Sequence, residues 1–197
     1  MFTSTASFIM HRLARYALTA LALPLVAVPT TRLVAQATTS APANQPAANP
    51  ADVGSLDAII AALYDVISGP AGQQRNWDRM RSLFIPGARL IPSSPSPDGK
   101  VVPRVLDVDG YIGRAGPMLE KNGFFEREIS RKTDSFGTIT HAFSTYESRR
   151  AKDDAKPFAR GINSIQLVND GTRWWIVTVF WDSERPNNPL PEKYLTK

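Results

Sequence analysis

Across residues 55–69, SLDAIIAALYDVISG, apolar side chains recur at Leu56, Ile59, Ile60, Leu63 and Ile67. That is the spacing of one face of an α-helix, with Ser55 as N-cap and Gly69-Pro70 as the stop. NWDRMRSLF repeats the device: Asn76 caps, Trp77, Met80, Leu83 and Phe84 turn inward, and Pro86-Gly87 ends it. DVDGYIGRAGPMLEKNG predicts a third, weaker helix, interrupted by Gly113, Gly116 and Pro117.

Elsewhere the period falls to two. ARLIPS and KVVPRVLDV predict two short strands around the loop SPSPDG, the second irregular because Pro103 cannot donate to a ladder. FFEREISRKTD, GTITHAFSTYESRR, FARGINSIQLV and RWWIVTVFWD then predict four long antiparallel strands, the last two joined by the hairpin signal Asn169-Asp170-Gly171. The final strand is apolar on both sides: strict alternation puts Trp174, Ile176, Thr178 and Phe180 on one face and Trp175, Val177, Val179 and Trp181 on the other. A sheet covered on one face alone should alternate apolar with polar. A second cover is therefore expected, either another copy of the chain or the C-terminal tail, residues 184–197, folding back with Leu190, Tyr194 and Leu195.

The order of elements makes this an α+β protein, about three helices packed on the concave face of a curved, mostly antiparallel sheet. That layout, with NWDRMRSLFIPGARL and the closing INSIQLVNDGTRWWIVTVFWDSE, resembles the nuclear-transport-factor-2-like superfamily over residues 55–183. The superfamily also holds the SnoaL-like cyclases, ketosteroid isomerase, scytalone dehydratase and limonene epoxide hydrolase. The resemblance implies a cone-shaped cavity between helices and sheet, and a convex face that commonly pairs two subunits; here that would be a homodimer through Trp175, Val177, Val179 and Trp181.

The chain's net charge of +5 includes Arg12, Arg15 and Arg32 from a 37-residue stretch without Asp or Glu; the remainder holds 20 basic against 18 acidic residues. No clustered basic face for nucleic acid is implied. MHRLAR, the uncharged YALTALALPLVAV and then AQA at 35–37 read as a cleavable secretory leader over residues 1–37, whichever of Met1 and Met10 is the start. The expected destination is the periplasm or the exterior, with no stable membrane anchor after processing, and the absence of cysteine excludes a lipid-modified Cys, a thiol nucleophile and thiolate metal ligands. Residues 38–54, rich in Ala, Pro and Thr, read as a disordered linker.

Candidate chemistry is sparse. His141 is the one histidine beyond the leader, which argues against zinc and against a two-histidine dehydratase. With Asp78 and Glu147 it makes the set of catalytic candidates; Glu126 and Glu128 are further carboxylates, Glu126 with Arg127 also reading as an exposed charged strand face. Tyr64, Trp77, His141, Phe143, Trp174 and Phe180 are the candidates for lining a pocket. No metal or cofactor motif is present. Three roles follow: a module that binds a small apolar molecule without turning it over, which is the preferred reading; a lyase or isomerase using a buried carboxylate base; and a structural homodimer. A cavity holding one carboxylate of raised pKa would favour the second.

Overall fold

The helices form where caps and apolar stripes coincide. In the computed structural model, residues 45–93, 95–96 and 98–196 are described and belong to one unit; the expected leader and the start of the linker lie outside them. Helix α2 (Leu56–Ile67) is capped by Ser55 Oγ, which accepts from the Ala58 amide at 3.0 Å, and α3 (Trp77–Leu83) by Asn76 Oδ1, which accepts from Arg79 at 2.9 Å. Ile59, Met80 and Leu83 have no exposed surface.

Four expectations need correction. Residues 50–54 are not a disordered linker: α1 (Pro50–Val53) is capped by Asn49, buries Val53, and ties the buried Asp52 to Arg79 at 2.8 and 2.9 Å. α3 does not run to Pro86-Gly87 but gives way at Phe84 to β1 (Phe84–Pro92), where those two residues sit in an irregularity of the pairing. Residues 100–107 make no strand, because without the Pro103 donor only Leu106 bridges, to Leu90, at 2.8 and 3.0 Å. The third helix, α4 (Val108–Asn122), is continuous through Pro117; the carbonyl that proline leaves without its helical donor belongs to exposed Gly113, open to water.

Strands β2 (Phe125–Phe136), β3 (Ile139–Arg149), β4 (Ala159–Asn169) and β5 (Trp174–Ser183) form the antiparallel meander, and β1 joins its β5 edge in parallel, giving the order β1-β5-β4-β3-β2. The helices cover one face, and the sheet curves around them with bulges in β2 and β5. The expected α+β class and curved, mostly antiparallel sheet are the ones observed.

The β5 bulge overturns strict alternation. Gln166 pairs with Thr178 while Leu167 pairs with Ile176, so Val177 is an extra residue. Before it, Trp174 and Ile176 face the helices; after it, Val179 and Trp181 do. Trp175, Thr178 and Phe180 take the outer face, so Trp175, Val177, Val179 and Trp181 do not share a side. The outward Trp175 is covered from its own hairpin: Arg173 stacks at 3.5 Å from the ring centre and Asp170 Oδ2 accepts from Nε1 at 2.6 Å. The tail lies on the outer face over β2 and β3, where Thr145 Oγ1 donates to the Tyr194 carbonyl and Ser130 Oγ to that of Thr196, each at 2.7 Å.

Deleting Val177 should remove the bulge and leave a regular ladder, Leu167–Ile176 followed by Gln166–Thr178, with Ile176, Val179 and Trp181 all still inward. The deletion should therefore cost no more than about 2 kcal/mol in urea unfolding. In a strand without the bulge the same deletion would turn Val179 and Trp181 outward, so a loss of about 4 kcal/mol or more would contradict it.

Candidate functional site

Between the helices and the inner sheet face lies a cavity of about 220 Å³. Its floor is apolar, from Leu63 and Ile67 on α2, Met80 on α3 and Leu90 on β1. Polar side chains reach it from six elements: Tyr64 from α2, Tyr111 from α4, Glu126 from β2, Tyr146 and Ser148 from β3, Asn163 from β4 and Ser183 from β5. Trp181, brought inward by the Val177 bulge, closes one wall and meets Tyr111 edge to face at 6.0 Å and 86°.

Glu126 is the one charged residue of the lining. Its Oε2 accepts from Ser148 Oγ at 2.8 Å and its Oε1 from Asn163 Nδ2 at 3.4 Å, and no guanidinium or ammonium pairs with it among the described residues. Burial pushes this carboxyl up to about 7, the Ser148 and Asn163 bonds pulling partly back. At neutral pH both protonation states are populated, which suits a group that takes up and returns a proton.

The three phenols differ in commitment. Ser144 Oγ donates to Glu128 Oε2 at 2.5 Å, so Tyr64, 2.7 Å from Ser144 Oγ, is the donor of that pair, while Asn163 Nδ2 donates to the Tyr64 oxygen at 3.1 Å. Tyr64 therefore aims its proton away from the cavity. Tyr146 bonds Ser183 Oγ at 3.1 Å, and burial pushes it to about 12. Tyr111 makes no hydrogen bond among the described residues; burial, then the neighbouring Glu126, holds it well above the ordinary tyrosine range. A neutral phenol without a partner can donate to an oxygen that gains negative charge.

On the other side of Tyr64 and Glu126 runs a more open groove of about 730 Å³, walled by Asp57, Arg131, Arg149 and Lys152. The two residues line both spaces.

Most of the residues expected at a site lie elsewhere. His141 is on the outer sheet face, its Nε2 2.9 Å from Ser164 Oγ and its ring against Phe143. Glu147, also outward, pairs with Arg127 at 2.5 Å and with Arg149; burial raises it, but the two guanidiniums prevail and hold it below the usual carboxylate range. Asp78 is exposed and paired with Arg81 at 2.8 Å. Trp77 packs beside Gly116 and donates to Glu120 at 3.1 Å, outside the cavity. Phe143 lies under Tyr194 and Phe180 is exposed, both outward, while Trp174 faces inward but away from the lining. Of the six expected lining residues, Tyr64 alone is in place. Glu126 was visible as a strand carboxylate, but its neighbours Tyr146, Ser148 and Asn163 become visible only through register.

Among the described residues, no three His, Cys, Asp or Glu side chains gather as a metal site, and no helix is long and apolar enough to cross a membrane. No protein-family model matches the chain, and no curated protein matches it in sequence. Solved structures similar to it include nuclear-transport-factor-2-like proteins of unknown function. One from Silicibacter pomeroyi has 13% identity, 66% of this chain and 94% of that one covered, and a TM-score of 0.44. Another, from Methylobacillus flagellatus, has 17%, 66%, 95% and 0.40, and a third, from Shewanella baltica, 14%, 66%, 98% and 0.38.

Glu126 makes stability depend on pH in a definite direction. Its folded pKa of about 7 exceeds the ordinary 4.5, so between those values the folded chain keeps a proton that the unfolded chain has lost, and stability falls as pH rises. Relative to Glu126→Gln, the wild type should lose roughly 2 to 3 kcal/mol between about pH 4.5 and 8. Urea unfolding at a series of pH values measures this; parallel curves for the two proteins would contradict it.

Proposed function

We propose that the protein moves a proton on a small, largely apolar carbonyl compound, in a reaction of isomerase or lyase type. The observation that carries this is Glu126: one carboxylate in an apolar cavity, without a paired cation, titrating near neutrality. Glu126 takes a proton from the carbon next to a carbonyl, the electron pair moves onto the carbonyl oxygen, and Tyr111 donates a hydrogen bond to that oxygen. Return of the proton to another carbon completes an isomerisation; expulsion of a leaving group completes an elimination. The lyase or isomerase reading thereby moves ahead of simple binding. Binding without turnover is the second reading, supported by the bonds from Ser148 and Asn163 that hold the carboxylate in one place.

Export to the periplasm or exterior belongs to the same proposal, as does pairing of two copies through the outer sheet face. Phe180, 43% exposed, replaces Trp181 as the residue on which that pairing would turn. Light scattering of the wild type at micromolar concentration should then give two copies, and Phe180→Glu one, since the change would bury an unpaired charge. A monomeric wild type would remove the pairing.

The chemistry is testable without knowing the substrate. Small ketones and enones, with and without an amino substituent, are incubated with the protein in heavy water and deuterium uptake is followed by mass spectrometry. The wild type should accelerate uptake into at least one, and Glu126→Gln should slow it by about 10² to 10⁴-fold. Equal uptake with both proteins would leave the binding reading in its place.

A further inference from the structure

The groups that the cavity offers a ligand are one-sided. Glu126 is its one charge. Asn163, 6% exposed, gives its Nδ2 to Tyr64 and Glu126, while its Oδ1 has no hydrogen-bond partner among the described residues. The Tyr64 and Tyr146 hydroxyls are engaged with Ser144 and Ser183. A carboxylate and an amide carbonyl thus stand as acceptors beside the uncommitted Tyr111 hydroxyl and Trp181 indole N–H, and the one formal charge among these groups is negative. A ligand that matches them brings hydrogen-bond donors and positive charge.

The walls point the same way. Tyr111 and Trp181 meet edge to face, and Phe124 and Phe158 pack at 6.1 Å and 63°, all four lining this cavity with Tyr64 and Tyr146. Aromatic faces attract cations, more strongly where water is excluded. Phe158 already does so: the Arg150 guanidinium sits 4.1 Å from its ring centre, outside the lining and without an ion pair to Glu126.

We infer that the cavity takes a small organic ammonium ion, its cationic nitrogen set between the Glu126 carboxylate and the aromatic walls. The inference rests on the proton-transfer reading for the role of the site and names the class of molecule it would act on. An anion would meet Glu126 with no cation to offset it, and an uncharged ligand would leave the carboxylate unpaired. The ammonium ion also supplies what proton abstraction at this site lacks. It places positive charge near the oxygen that becomes negative, in a cavity with no cation of its own.

The test compares choline with 3,3-dimethylbutan-1-ol, its uncharged carbon counterpart of the same shape, by calorimetry on the full chain. Choline should bind at least about tenfold more tightly. Glu126→Gln should bring the ratio to about one, with the melting temperature retained. Should that variant not fold, the wild type alone decides: choline affinity should rise between about pH 5 and 8 as Glu126 ionises, and affinity for the alcohol should not. Tyr64 from α2, Tyr111 from α4 and Tyr146 from β3 face Glu126 and are pushed up by burial, so they stay neutral in that range; Arg127 and Glu128 flank it on β2, and Arg131, Arg149, Lys152, Asp57 and Asp65 line the groove on its other side. Equal affinity for the two probes, or no choline binding at about 10 mM, overturns the inference. Deuterium uptake into uncharged ketones that depends on Glu126 would leave the proton-transfer reading intact even then.

Discussion

One residue's worth of slippage between β4 and β5 determines what the interior is made of. Because Val177 is extra to the pairing, the apolar positions of β5 change phase halfway, and Trp174, Ile176, Val179 and Trp181 all reach the helix side. Continuous alternation would instead have put Thr178 and Phe180 inward and Trp181 outward. The wall that Trp181 makes with Tyr111 would then be absent. The bulge in β2 keeps a second strand in phase: across Ile129, Glu126 and Glu128 on one side and Arg131 on the other all stay opposite inward residues of β3. The sheet bends at these places, so curvature and the choice of cavity residues share a cause.

A polar row runs from the interior to solvent through these strands. Asn163 Nδ2 reaches both Glu126 and Tyr64, Tyr64 passes its proton toward Ser144, Ser144 donates to Glu128, and Glu128 is paired at 3.2 Å with Arg131, which also holds the exposed Asp57. From Asn163 to Glu128 the donors and acceptors run in a consistent direction, which is what allows Asn163 and Ser144 to be buried. Glu128 obtains a cation from this row and Glu126 obtains only neutral donors. Two carboxylates two residues apart on one strand are thus given different environments, a salt-bridged one at the groove and a desolvated one at the cavity.

The parts of the fold that were legible in the sequence are those set by neighbours along the chain. Ser55 and Asn76 mark their helices because capping is local, and Asn169-Asp170-Gly171 marks its hairpin because Gly171 takes φ +93. The misread parts depend on distant partners. Pro117 does not break α4, since only one exposed carbonyl loses its donor. Residues 50–53 are held by Arg79, far along the chain, and β1 is held by a parallel partner more than eighty residues away. The site suffered most. His141 draws attention as the one histidine beyond residues 1–37, yet it faces outward, while Glu126, with an ordinary carboxylate's chemistry, acquires its pKa wholly from where β2 puts it.

A general base must be dry enough for its pKa to rise and open enough for a molecule to reach it, and these demands oppose each other. Glu126 meets both by standing, with Tyr64, in the partition between the cavity and the groove. The cavity side supplies the low-dielectric surroundings that oppose ionisation, and the groove side is the more open of the two spaces that Glu126 lines. Ser148 and Asn163 bind the carboxylate without neutralising it, so they fix its direction and offset only part of the burial. A resident guanidinium or ammonium in their place would have held the carboxylate ionised and its pKa low before any ligand arrived. The absence of an Arg or Lys from the lining is therefore the feature that distinguishes Glu126 from Glu147, which sits on the outer face between two guanidiniums and is held ionised.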